Sequence, residues 1–151
     1  MKAAAKSRRT QILAEALSGQ HLLLLYDGTC GLCDWFVQFI LRHDRHRDLR
    51  FATLQGRYGD AARRAMPELA GVDSVVLVTR SGAYVRSTAA LEVMRYMGGG
   101  WSLFLVLYVL PRFVRDWGYD MIAKRRYRIW GRVEACPLPT PETRTRFLDL
   151  T

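Results

Sequence analysis

Residues 22–43 read LLLLYDGTCGLCDWFVQFILRH, and the change of character at Cys30 decides the fold. Leu22–Tyr26 is a short apolar run closed by Asp27-Gly28, too brief for a helix, and reads as a buried strand. From Gly31 to His43, Leu32, Trp35, Phe36, Phe39 and Ile40 recur at helical spacing. Val37 and Leu41 widen that face, so the helix is expected to be covered on more than one side. Two cysteines three residues apart therefore stand where a strand becomes a helix. They could form a redox pair, half of a metal site, or two buried thiols that happen to be close.

The segments on either side build outward from this junction. His43–Asp48 is charged and reads as a surface loop, and Leu49–Gln55 alternates well enough to be a second strand. Residues 59–70 suit a helix ending near Pro67. Ser74–Thr79 is rich in β-branched residues, and Arg80-Ser81-Gly82 separates it from Ala83–Arg86, which is a hairpin pattern. Ser87-Thr88 can cap a helix running through Tyr96, ended by Gly98-Gly99-Gly100. The rest to Arg132 reads as helices broken at Pro111, and the near-continuous apolar run Leu103–Leu110 suits a helix buried against the core. The tail EACPLPTPETR reads as loop. No internal repeat is evident, and the expected organisation is one domain: an N-terminal basic arm or short helix at 1–20, a core at 21–100, and a helical C-terminal extension with its tail at 101–151, packed on that core.

The order strand, helix, strand, helix, strand, strand, helix begins with a βαβ unit, which demands a right-handed crossover and a parallel strand pair. The hairpin then adds antiparallel strands to the same sheet. A Cys-x-x-Cys at the first strand-to-helix junction of this order is the arrangement of a thioredoxin-like α/β fold.

Composition bounds the remaining possibilities. At 151 residues, half hydrophobic and a quarter charged, the chain can bury a real core, and disorder is not expected except at its ends. Three cysteines are too few for a disulfide-stapled scaffold. The basic start MKAAAKSRRT is not followed by the 7–15-residue apolar core of a secretory signal, and Trp101–Leu110 falls short of the roughly 20 residues that span a bilayer. A cytoplasmic, reducing location is expected, where a close cysteine pair is more often catalytic or metal-binding than structural. The formal charge of +9, mostly from arginine, permits an anionic partner without naming one.

YDGTCGLCDWFVQFIL followed by LRFATLQ resembles the DCC family of small thioredoxin-like proteins, named for the aspartate and two cysteines matched here by Asp27, Cys30 and Cys33. SVVLVTRSGAYVRSTAALEVM and LPRFVRDWGYDMIAKRRYRIWGR extend the similarity over roughly residues 22–136. The resemblance implies a thiol–disulfide oxidoreductase. It departs from thioredoxins in one respect: the loop entering the third strand, Gly71–Ser74, carries no proline at the place where thioredoxins hold a cis-proline, and Pro67 comes too early.

The chemistry of the pair follows from its position. Residues three apart share a helix face, so Cys30 and Cys33 can bridge across one turn. Cys30 at a helix start meets free backbone N–H groups and the positive end of the dipole, which favour a thiolate. Cys30 is the expected nucleophile, and Cys33, one turn in and more buried, the expected resolving thiol. Asp27 complicates this, since a carboxylate roughly 6 Å away opposes the thiolate by about 3 kcal/mol at an effective dielectric near 20. Either Asp27 accepts N–H bonds from Thr29 or Cys30 as a turn residue, or it is protonated and serves Cys33 as a proton shuttle. Gly31-Leu32 between the cysteines is neutral, so a mild rather than a strongly oxidising disulfide is expected. The rim of the site is expected to include Gly28, Thr29, Gly31 and Leu32, with Asp73 and Ser74 from the loop before the third strand and Ser87 and Thr88 from the end of the fourth; for Ser87 and Thr88, helix capping is the plainer role. The cycle needs no cofactor, only a thiol or disulfide substrate and a separate reductant.

Three other readings compete. Cys30 and Cys33 with Cys136 and His43 or His46 could hold zinc, though no second Cys-x-x-Cys supports it. Cys136 reads as a buried inert thiol or, more sharply, as a third redox thiol that meets the active-site disulfide. The cysteines could instead belong to a redox sensor or a non-enzymatic interaction protein. In that case Arg112, Arg115, Lys124, Arg125, Arg126, Arg128 and Arg132, interleaved with Trp117, Tyr119, Tyr127 and Trp130, would face an anionic membrane surface or a protein partner. Nucleic acid ranks below both, and packing of the extension on the core ranks above all of these for that segment.

Overall fold

The computed structural model describes residues 11–18, 22–131 and 140–148. In chain order it has helix α1 (residues 11–16), β1 (Leu22–Tyr26), α2 (Gly31–His43), β2 (Leu49–Thr53), α3 (Arg57–Ala65), β3 (Val76–Thr79), β4 (Gly82–Val85), α4 (Arg86–Met97), α5 (Arg112–Ile129) and α6 (Pro141–Arg144). A 3-10 turn at Pro67–Leu69 follows α3, and a long 3-10 segment, Gly99–Val109, links α4 to α5. Among the described residues the strands form one four-stranded sheet in the order β2-β1-β3-β4. β1 runs parallel to β2 and antiparallel to β3, and β3 and β4 form the antiparallel hairpin. This is a mixed α/β, thioredoxin-like arrangement.

β1 is apolar throughout because both faces of the sheet are covered. Leu24 and Tyr26 point to the side holding Cys33, Val37 and Ile40 of α2 and Ala89, Val93 and Met97 of α4. Leu23 and Leu25 point to the other side, against Leu13, Ala16 and Leu17 near α1 and Tyr58, Ala61 and Ala62 of α3. Alternation along one strand thus fixes two cores. The free edge of β2 is covered by the tail: Phe51 N–H donates to Arg146 C=O at 2.8 Å, and the Phe51 and Phe147 rings stack at 5.2 Å. Arg146 is itself buried, pairing with Asp44 at 2.5 Å and donating to Leu49 C=O at 3.0 Å.

Two expectations fail here. Leu103–Leu110 is not a buried helix: the whole 3-10 segment has no buried residue. Gly98 and Gly99, at φ of 64° and 61°, turn the chain out of α4, and the period of three leaves only one side chain in three facing the protein. Ser87-Thr88 does not cap α4 either. The cap lies at least two residues earlier, at Val85, with no side-chain cap bond, and Ser87 Oγ donates to Asp116 Oδ1 of α5 at 2.5 Å instead.

Candidate active site

The site is built where β1 hands over to α2. Cys30 is the extended residue that caps α2, and its Sγ accepts from the Cys33 N–H at 3.5 Å. A sulfur in the cap position occupies the place of the usual serine or aspartate oxygen, so its charged form is the one the helix end favours. The two thiols are unbridged and both buried. Cys30 has no accessible surface and Cys33 retains 4%. Both thiols are closed off because the first turn of α2 is itself covered.

What lies against that turn is the far end of α5. Gly31 N–H donates to Gly131 C=O at 3.2 Å, and a Cβ on Gly31 would fall 2.5 Å from the Trp130 carbonyl oxygen. Only glycine fits at position 31 while α5 ends there. Gly31→Ala should displace that end, lower stability by about 1–3 kcal/mol, and speed alkylation of Cys30 in the reduced chain. Alkylation no faster than in the parent chain would show that Cys30 is covered by other means.

The thiols titrate in opposite directions. Cys30 is pulled down from an ordinary 9.0 to about 6, chiefly by the hydrogen bond from the Cys33 thiol; burial opposes this, and the Cys33 N–H and the Arg126 guanidinium add to it. Cys33 is pushed far up, first by that same hydrogen bond to Cys30, then by burial and by the charge on Cys30. One proton shared unequally between two sulfurs describes the reduced pair.

Asp27 is buried and fully engaged. Its Oδ1 accepts from Thr29 N–H at 2.9 Å, Thr29 Oγ1 at 2.8 Å and Gln55 Nε2 at 3.0 Å. Its Oδ2 meets Arg126 Nη2 at 3.2 Å in an ion pair with both side chains less than 10% exposed. Arg126 Nη1 also donates to Asp73 C=O at 2.9 Å, tying α5 to the loop before β3. The negative charge that sequence placed beside Cys30 is thus answered by a buried cation. Neither Arg126 nor Gln55 was assigned to the site from sequence, where Arg126 stood among the basic residues of a surface.

Two recesses flank the pair. An apolar one of about 130 Å³ reaches Cys33 between Leu32, Trp35, Phe36, Val75 and Ile122. A polar one of about 570 Å³ lies across Tyr119 and Arg126, with Asp73, Ser74, Arg86 and Lys124 on its walls. Tyr119 borders both, and its Oη accepts the Val75 N–H at 3.3 Å; burial pushes its hydroxyl up to about 12. Gly28, Thr29, Gly31 and Leu32 lie in the turn around the cysteines, and Asp73 and Ser74 reach the polar recess. The α4 residues that line the two recesses are Arg86 and Ala90, on either side of Ser87 and Thr88.

Among the described residues no three of histidine, cysteine, aspartate and glutamate converge as a metal site. His43 packs on Phe39 and Trp101, and His46 on Tyr96. Cys136 and Arg132 lie outside the described residues.

Comparison with known proteins bears directly on this site. Residues 24–132 match the model of the DCC1-like thiol-disulfide oxidoreductase family. The chain is 38% identical over 127 residues to the uncharacterized protein YuxK of Bacillus subtilis, covering 83% of this chain and 93% of that one. It is 37% identical over 121 residues to a chloroplastic DCC family protein of Arabidopsis thaliana, covering 77% and 69%. No solved structure gives a significant match. The matched span runs from β1 through α5, so it takes in the cysteine turn and the helix carrying its buried cation, and the chain belongs to the DCC1-like thiol-disulfide oxidoreductase family.

Proposed function

We propose that the chain catalyses thiol–disulfide exchange, with Cys30 as the attacking thiolate and Cys33 as the resolving thiol. The observation that carries this reading is the Cys30 sulfur at the start of α2, accepting from Cys33 and drawn down to about 6. At neutral pH that sulfur is mostly thiolate, the form that attacks a disulfide.

The cycle balances with two thiols and no further group. Cys30 Sγ attacks one sulfur of the substrate disulfide, that S–S bond breaks, and the departing thiolate takes a proton from solvent. Once Cys30 is held in the mixed disulfide it carries no charge and no longer draws the Cys33 proton, so the largest influence raising Cys33 is gone. Cys33 then gives its proton to solvent and attacks Cys30 Sγ, forming the Cys30–Cys33 disulfide and releasing the second substrate thiol. Two electrons have passed to the substrate, and a separate thiol reductant restores the pair. Attack requires Cys30 to be uncovered, and the Gly31–Gly131 contact at the end of α5 is the nearest place to open. The apolar recess beside Cys33 suits a nonpolar group flanking the substrate sulfur.

Equilibration in glutathione or dithiothreitol buffers with thiol trapping tests this. A reversible two-electron couple roughly between −180 and −270 mV is expected, among working oxidoreductases. No intramolecular disulfide at any poise, with zinc recovered on the chain instead, would overturn the reading in favour of metal binding.

A further inference from the structure

We infer that the 3-10 segment Gly99–Val109 and the outer face of α5 form a docking surface for an anionic lipid membrane. A 3-10 helix repeats every three residues, so side chains three apart stand in line. Leu103, Val106 and Val109 form the outermost line, exposed by 78%, 67% and 82%. Phe104, Leu107 and Leu110 form a second exposed line beside it. The third line, Ser102, Leu105 and Tyr108, turns toward the protein, as does Trp101 at the start of the second, and the Tyr108 hydroxyl bonds to Glu92.

α5 continues this surface. Phe113, Trp117, Lys124 and Arg128 are spaced by four, seven and four residues and so share one face of the helix. Phe113 and Trp117 are exposed by 75% and 66%, and Lys124 and Arg128 are also exposed, with Arg125 beside them. The face is therefore apolar at the end joined to the 3-10 ridge and cationic at the other. Its acids are accounted for elsewhere: Asp116 meets Arg112 and Ser87, and Asp120 meets Arg86. Among the described residues Lys124, Arg125 and Arg128 make no ion pair.

The chemistry of this surface selects lipid over protein. The side chains of 103–110 offer no free hydrogen-bonding group, whereas protein interfaces carry about one hydrogen bond per 100–200 Å². A second copy meeting the first through the apolar ridge would leave the cations of α5 unanswered. Apolar and aromatic side chains beside unpaired lysine and arginine match the boundary of an anionic bilayer, where the first enter the acyl region and the second meet phosphates. Among the described residues no helix is long and apolar enough to cross a membrane, so the contact is one of lying on the surface. An aromatic run connects the ridge to the cysteine recess. Trp35 of the recess stacks on Phe39 at 5.6 Å, Phe39 meets Trp101 edge-on at 4.9 Å, and Trp101 stacks on Phe104 at 6.4 Å. Docking would set the recess beside the lipid headgroups. The surface does not depend on the thiol chemistry proposed above.

Co-sedimentation of the full chain with vesicles of equimolar phosphatidylcholine and phosphatidylglycerol, against pure phosphatidylcholine, tests this at low and physiological salt. Binding to the anionic vesicles alone, weakening with salt, is expected. Val106→Glu with Val109→Glu, and separately Lys124→Glu with Arg128→Glu, should each weaken it by about tenfold or more. These positions are exposed, and an unchanged circular dichroism spectrum checks the fold. Trp117 fluorescence should be quenched by brominated lipid. No sedimentation with anionic vesicles, equal sedimentation with neutral ones, or indifference to both double variants overturns the inference; a dimer abolished by the ridge substitutions, with no vesicle binding, would assign the face to a second copy.

Discussion

Replacing Arg126 by methionine should cost the fold about 3–5 kcal/mol and raise the pH at which Cys30 becomes reactive. The two effects share one cause. Arg126 and Asp27 are buried partners 3.2 Å apart, and removing the cation strands the carboxylate in a dry site where Thr29 and Gln55 are neutral donors. The loss from stranding one member of such a pair is far larger than the net worth of the pair. Arg126 also lowers the Cys30 thiol by its charge, so its loss shifts the thiol upward even before the unanswered carboxylate is counted. A third consequence is mechanical, because Arg126 Nη1 holds Asp73 C=O and so fastens α5 to the loop before β3.

Urea unfolding and the pH profile of alkylation measure these effects separately. Arg126→Lys keeps the charge but cannot serve Asp27 and Asp73 through one planar fork, so it should restore most of the thiol shift and less of the stability. Asp27→Asn makes the opposite electrical change: it also destabilises, but leaves a cation unanswered near Cys30, so the thiol inflection should move down. Inflections that move the same way in Arg126→Met and Asp27→Asn would mean that the pair acts on Cys30 by holding the turn in shape rather than by its charges.

The cysteine turn was legible because its signals are local. A five-residue apolar run, an Asp-Gly break and a 3.6-residue periodicity locate β1 and α2 to the residue, and the position of Cys30 between them follows. The other half of the site comes from nearly a hundred residues away. Tyr119, Ala123 and Arg126 lie four and three apart on one face of α5, yet Arg125, Arg126 and Arg128 look alike in sequence, and only burial separates the one that serves Asp27 from the two that face outward. Gln55 gives no sequence signal beyond its place in the turn that follows β2. The run Leu103–Leu110 shows the reverse difficulty: its composition announces apolar surface but not what covers it, and the period of three that turns two lines outward depends on how Gly98 and Gly99 redirect the chain.

Cys33→Ala and Cys30→Ala should fail in different ways, and the difference assigns the two roles. Both variants lose the intramolecular disulfide and with it the two-electron cycle. Cys33→Ala keeps the attacking sulfur and should accumulate a mixed disulfide with the substrate, visible by mass spectrometry and released by dithiothreitol; Cys30→Ala should accumulate none. Alanine is preferred to serine at position 33 because a hydroxyl could replace the donor that the thiol provides. Without that donor the largest influence lowering Cys30 is gone, so its alkylation inflection should climb from about 6, pushed further by burial and opposed by the position-33 N–H and Arg126. The loss of rate at neutral pH should be smaller than the loss of thiolate. For each unit that the inflection rises above the working pH the thiolate falls tenfold, while a more basic sulfur regains about 0.4–0.5 of a log unit in nucleophilicity, leaving roughly a threefold loss per unit. If instead the trapped adduct formed on Cys33 in the Cys30→Ala chain, the sulfur lining the apolar recess would be the nucleophile, and access rather than thiolate character would decide which cysteine attacks.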